Sequence, residues 1–183
     1  MTSQRTAPMI FVVVFPALLL AACGIDVREE EHGDKKQVEI RTPVGDMQVN
    51  TNIDAPATGL PVYPGARPLQ DGDEPRSADV NIAASLFGLK VVAAKFESDD
   101  VPQQIIDFYR KELRTYGVVT ECRGEIDFKG RAGSQRAVCN ERRSSDDIQL
   151  VAGTEERHRI VSIKPRRSGS EFALVYIQTR GEG

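Results

Sequence analysis

The sequence predicts an α+β domain, an antiparallel sheet of about five or six strands packed by one main helix, preceded by a small β-hairpin and a tether. Three observations carry that expectation. Residues 100–116, DVPQQIIDFYRKELRTY, hold the best helical period in the chain. Downstream, IQLVAG (148–153), HRIVSIK (158–164) and EFALVYIQT (171–179) alternate apolar and polar residues and are separated by turn-like TEER and PRRSGS, which suits an antiparallel meander. The 183 residues, 40% hydrophobic with a net charge of −3, suit one domain with appendages rather than two domains or a disordered chain.

In chain order the segments are a leader (1–22), a flexible tether (23–36), a β-hairpin (37–51), a linker (52–59) and the α+β domain (60–180). The leader opens with MTSQRTAP, whose one charged side chain is Arg5. It continues as an apolar run of 14 residues, Met9 to Ala22. A membrane-spanning helix needs about 20 apolar residues, so the run has the length of a signal segment, and Pro16 within it opposes a long straight helix.

Leu20-Ala21-Ala22-Cys23, followed by Gly24, resembles the lipobox of bacterial lipoproteins. The resemblance implies a diacylglyceryl group on the Cys23 thiol, cleavage between Ala22 and Cys23, and a mature chain held to a membrane by its N-terminal lipid. Its localisation would be the cell envelope, facing the periplasm or the exterior. In Gram-negative members an aspartate after the cysteine commonly retains the protein in the inner membrane. Gly24 in that place implies the outer membrane for such a cell.

GIDVREEEHGDKKQ after Cys23 is dense in charge and reads as solvated tether. Glu29, Glu30, Glu31, His32 and Asp34 cluster there without a spacing that would set a coordination geometry. QVEIRTPVGDMQVNT then alternates on both sides of a Pro-Val-Gly-Asp turn, as a hairpin does. NIDAPATGL has linker composition.

In the main domain, two strands are expected at about 79–86 and 89–97 around Phe87-Gly88, either hairpinned or running on through a kink. In the helix, Asp100 and Gln103 have capping-box spacing, Pro102 falls in the first turn, and Gly117 lies just past the end. Ile105, Ile106, Tyr109, Leu113 and Tyr116 form one apolar stripe, suited to packing on a sheet. Tyr63-Pro64-Gly65-Ala66, the strand ending near Phe96, then Phe108-Tyr109 and Leu113 resemble a pattern recurring in bacterial lipoproteins and envelope proteins. That resemblance implies no particular activity.

Cys122 and Cys139 end two short strands, VVTEC and AVC. Outside the cytoplasm, with Cys23 consumed by lipid, the odd count of three cysteines leaves one pair, expected as a structural disulfide.

Chemistry is sparse. The two histidines, His32 and His158, have no spaced partner of the kind zinc or a catalytic triad requires, and no nucleophile elbow, zinc-protease or phosphate-loop motif occurs. Asp71, Asp73, Glu74 and Asp79 lack calcium-loop spacing. Asp99-Asp100 and Asp146-Asp147 are adjacent residues, which do not face each other across a substrate. Lys164, Arg166 and Arg167 form a small basic turn that could meet anionic headgroups or an acidic partner. With 24 basic against 27 acidic residues, the chain has no nucleic-acid footprint. The expectation is therefore a lipid-anchored, non-catalytic envelope module, binding or structural, without metal or cofactor. Its partners would be the membrane through the lipid, and an envelope protein or the cell wall. Two alternatives stand beside it: an envelope hydrolase using carboxylates or His158, and a small apolar-ligand binder with a cavity behind Ile105, Tyr109 and Leu113.

Overall fold

The computed structural model describes residues 25–33, 35–52, 55–69, 76–84, 87–130, 135–140 and 145–181. Ala22 and Cys23, with the whole leader, lie outside them, as do Asp34, Asp71, Asp73 and Glu74. The elements are β1 (Asp26–His32), β2 (Lys35–Thr42), β3 (Gly45–Thr51), β4 (Arg67–Pro68), β5 (Ser77–Ala84), β6 (Phe87–Ser98), α1 (Pro102–Leu113), β7 (Thr120–Arg123), β8 (Ile126–Lys129), β9 (Arg136–Cys139), β10 (Ile148–Gly153), β11 (Arg157–Pro165) and β12 (Ser170–Gly181). Short 3₁₀ turns occupy Ala55–Thr58 and Arg114–Tyr116.

The expected fold class is corrected. The protein is mostly β, built on one ten-stranded sheet rather than a sheet of five or six strands packed by a main helix. Its order is β1-β2-β3-β5-β6-β12-β11-β10-β7, with β4 beside the C-terminal end of β6, and every pairing is antiparallel. β8 and β9 form a separate two-stranded sheet. The segment around Phe87-Gly88 does turn back as a hairpin, since Ala84 pairs with Phe87.

The miss has a physical cause. The 37–51 hairpin is not an appendage, because β3 pairs with β5 from Gly45↔Ala84 to Thr51↔Ala78 and so joins the main sheet. The described part of the linker-like stretch after it, Ala55–Thr58, is a 3₁₀ turn against β6 and β12. β1, expected as tether, is strand because β2 offers it seven residues of backbone partners, Asp26↔Arg41 to His32↔Lys35. At a sheet edge a charged strand is tolerated, and it also discourages further strand addition.

β6 and β12 pair over twelve residues each, from Ser170↔Ser98 to Gly181↔Phe87. On the helix-covered face, here the front, Ala94 and Phe96 of β6 meet Phe172 and Leu174 of β12, then Val161 and Ile163 of β11, and Ile148 and Leu150 of β10, all buried. α1 lays Ile105, Ile106, Tyr109 and Leu113 on this surface, chiefly over β10 and β11, as its stripe predicts. Aromatic rings fill the junction. Phe96 stacks on Phe172 with centroids 5.5 Å apart, and Tyr63 meets Phe108 edge-on at 5.3 Å.

The capping expectation fails in detail. Val101 is the N-cap, with no side-chain cap, and Pro102 starts the helix without an amide to satisfy. The Asp100 carboxylate instead accepts the Tyr63 hydroxyl at 2.7 Å, which pushes that phenol up to about 12. Ser170 donates its hydroxyl to the Asp100 carbonyl at 2.9 Å, tying β12 to the helix entry. Gly169, at φ 79°, precedes it, and a Cβ there would stand 2.1 Å from the Ser98 carbonyl oxygen. The Tyr109 hydroxyl accepts the Tyr63 amide and donates to the Pro61 carbonyl, both at 3.1 Å, so the helix holds the 60–63 segment over the core.

Two substitutions measure this core. Leu150→Ala is expected to lower unfolding free energy by about 2–5 kcal/mol, as for other buried leucines. Tyr109→Phe, which leaves the ring and removes only the two hydroxyl bonds, is expected to cost about 1–2 kcal/mol. Urea unfolding of the two variants beside wild type checks both, and the order should not reverse.

Candidate functional site

The strand alternation changes phase along the two long strands. In β6, Val92, Ala94 and Phe96 face the helix, while Gly88 and Lys90, earlier on the same face, are not apolar side chains that could extend the core. The opposite face, here the back, runs the other way: Leu89, Val91 and Ala93 are apolar, then Lys95 and Glu97 are charged. β12 mirrors this. Its front goes from Phe172 and Leu174 through Tyr176 to Gln178 and Arg180, and its back from Glu171 through Ala173, Val175 and Ile177 to Thr179. One end of the sheet is thus apolar in front, where α1 covers it, and the other end is apolar behind.

Register carries the second pattern across the strands that α1 does not reach. On the back, Val38, Val49, Val80, Val91 and Ile177 are successive cross-strand partners in one row. The adjacent row is Val27, Ile40, Met47, Ile82 and Leu89. The front of the same strands shows Glu39, Gln48, Asn81, Lys90 and Gln178 in register. There Arg41 donates to Glu39 at 2.7 Å and Lys90 lies 3.5 Å from Asp79. An antiparallel sheet normally turns its polar side to water and its apolar side to a core. Among the described residues, β1, β2, β3 and β5 make their substantial contacts only with sheet neighbours. Their apolar side is half-buried by its own side chains, and Val27 at its edge is 53% exposed.

The β8–β9 hairpin bounds this face at the other end. Cys122 and Cys139 are joined, as expected, with Cα atoms 5.3 Å apart, which fastens β9 beside β7. Register places Ile126 with Cys139 and Phe128 with Ala137 on one side of the hairpin. The Phe128 ring lies 4.5 Å from the His158 ring, on the back of β11.

That contact settles the position of His158. It is 6% exposed, and its Nδ1 lies 3.0 Å from the Thr154 carbonyl oxygen and 3.1 Å from that of Glu155. Burial holds the imidazole below its ordinary range and keeps it neutral, while the two carbonyls require Nδ1 to carry the proton. The ring is thus bonded to backbone and lies beneath Phe128 of the hairpin. His32 stands elsewhere, on β1.

The carboxylates also have structural partners. Asp99 receives both guanidinium amines of Arg67 at 3.1 Å, which lowers its carboxyl below the usual range, and Glu121 pairs with Arg110. Asp146 and Asp147 lie before β10, and Arg166 in the basic turn pairs with Glu171. No group of three potential metal ligands occurs among the described residues. Ile105, Tyr109 and Leu113, proposed walls of an apolar cavity, are fully buried members of the packed core.

A polar cleft of about 420 Å³ opens on the front between β10–β11 and the end of β12. Its wall includes Arg159, whose guanidinium lies 3.6 Å over the Tyr116 ring and 4.7 Å from that of Tyr176. Arg159 Nε donates to the Thr58 carbonyl at 3.1 Å and Tyr116 donates to that of Gly59, so this cluster fastens the 58–60 segment to the sheet. Arg157, Glu156 and Gln178 also line it.

No family model matches the chain, and no curated protein or solved structure matches it. The apolar back face was missed in the sequence, although its signal was present: LKVVAAKF of β6 holds two alternations of opposite phase that overlap at Val91 to Ala94.

Removing the disulfide as Cys122→Ser with Cys139→Ser is expected to cost about 3 kcal/mol, from the loop it closes. Hydrogen exchange should show the loss of protection concentrated in β7, β8 and β9, with α1 less affected. His158 makes a second prediction. The unfolded histidine, near 6.5, takes up its proton first as pH falls, because burial lowers the folded value. Stability should therefore decline on acidification through and below about 6.5, and the decline should be shallower in His158→Gln. Urea midpoints at pH 7.5 and pH 5.5 for the two chains measure the difference.

Proposed function

We propose that this protein is a lipid-anchored, non-catalytic binding module of the bacterial cell envelope, whose contact surface is the apolar back face of the sheet. The observation that carries the reading is the two-sided half-sheet: a polar front, and a back of registered aliphatic rows that no described element covers. Large exposed apolar patches on soluble domains mark interaction sites.

The anchor belongs to the same reading. In the lipoprotein interpretation Cys23 carries the lipid, and β1 begins at Asp26. Three residues reach at most about 10 Å, so the edge strand would stand close to the membrane rather than on a long flexible leash. Two or three acyl chains, each methylene contributing about 0.8 kcal/mol when buried, would hold it there. Such anchoring concentrates the module in one plane, where contacts too weak for free solution become populated.

Intact-mass measurement of the full-length protein, extracted from membranes with detergent and alkylated without reduction, tests the anchor. The expected species begins at Cys23, carries diacylglycerol and lacks alkyl groups on Cys122 and Cys139. A chain retaining residues 1–22 without lipid would overturn it.

A further inference from the structure

We propose that the occupant of the apolar back face is a second copy of this chain, packed face to face across a two-fold axis near Val80. The inference rests on the reading of that face as the contact surface, and it names the partner.

Area is the first argument. Six strands, β1, β2, β3, β5, β6 and β12, share the uncovered back. At about 4.8 Å between strands and about 3.4 Å per residue along seven residues, they offer roughly 700 Å². A stable protein pair buries about 800 Å² on each partner, so one copy of this face matches what one copy of a dimer needs.

Surface chemistry is the second. Sheets pack on sheets through aliphatic rows about 10 Å apart, and the central row here, Val38 to Ile177, is of that kind. A lipid surface selects Trp, Tyr and Phe at the interface, with Lys and Arg toward headgroups, and among the described residues of these six strands the back carries one such ring, Phe87 at the end of β6. The chain has no Trp. Its four tyrosines, Tyr63, Tyr109, Tyr116 and Tyr176, belong to the helix-covered side. The charges at the β1 corner of the back include Glu29 and Glu31, the latter 2.9 Å from Lys36, which gives no excess of positive charge for anionic lipid.

Geometry closes the pair. β1 presents Asp26, Glu29, Glu30 and Glu31 at the sheet edge, and their repulsion opposes edge-to-edge growth. A face shared by two copies uses the same patch twice and ends at a dimer.

The test is thiol cross-linking of the full-length chain in its own membranes. With Cys23 lipidated and Cys122–Cys139 joined, an introduced cysteine is the one reactive thiol. Val80→Cys lies at the centre of the face, and Asn81→Cys, its neighbour, lies on the polar front. A short bismaleimide should double the mass of Val80→Cys and leave Asn81→Cys monomeric. Adding Val49→Lys, at the cross-strand neighbour of position 80, should abolish that doubling while the native disulfide still resists alkylation. Equal doubling at both positions would mean random collision in the membrane and would overturn the pair. A monomeric Val80→Cys chain whose introduced thiol is shielded by lipid vesicles, or an adduct of another mass, would likewise remove the second copy, yet keep the face as a contact surface. A Val80→Cys chain that stays monomeric, with its thiol open to water-soluble maleimide in membranes, would remove both. Wild-type chain that itself takes up maleimide at Cys23 would fail the anchor and leave the pairing to be judged from the difference between positions 80 and 81.

Discussion

The β6–β12 pair is the constraint on which the other elements depend. Twelve residues of each strand are in unbroken register, so every side chain on one is committed to a face by its position on the other. The front of its C-terminal β6 end presents Phe96 and Ala94 beside Phe172 and Leu174, and an apolar surface of that kind must be covered. α1 covers it. At the opposite end the front turns polar with Lys90 and Gln178, and no helix is required there. The same two strands therefore decide where the helix stops and where the second apolar surface begins.

That arrangement explains why the protein has two kinds of hydrophobic surface. The helix-side core is rich in aromatic rings, pinned by the hydroxyl of Tyr109 and by Arg159 beside two tyrosine rings. The back face is aliphatic and nearly free of polar side chains along its central rows. The β8–β9 hairpin, fastened by the disulfide and resting Phe128 on His158, ends it on one side, and the acidic β1 ends it on the other. A buried histidine in this setting serves the hairpin's packing. Its Nδ1–H is held by the carbonyls of Thr154 and Glu155.

Much of the local structure was legible in the residues. The apolar stripe of α1 and the alternation of β10, β11 and β12 follow from period and spacing, which are local properties, whereas the pairing of Cys122 with Cys139 was expected only through the lipobox resemblance that set Cys23 aside. Asp100 shows the limit of such reasoning. Its spacing to Gln103 suits a capping box, but the Tyr63 hydroxyl, 37 positions away in sequence, takes the carboxylate instead. β1 shows it again. A run of glutamates has no strand propensity to read, and its conformation follows from the partner backbone of β2.

By itself the sequence determined the helix and the alternating strands β2, β3, β10, β11 and β12, because alternation and helical period are written in neighbouring residues. It carried the overlap of two phases in LKVVAAKF as well, and with it the two apolar faces. Only the tertiary structure decided that the N-terminal hairpin and the main domain share one ten-stranded sheet. Backbone hydrogen bonds between strands do not depend on which side chains they carry, so β3 could join β5 without a mark in either segment. That one pairing aligned Val49 with Val80, and turned scattered aliphatic residues into a continuous surface.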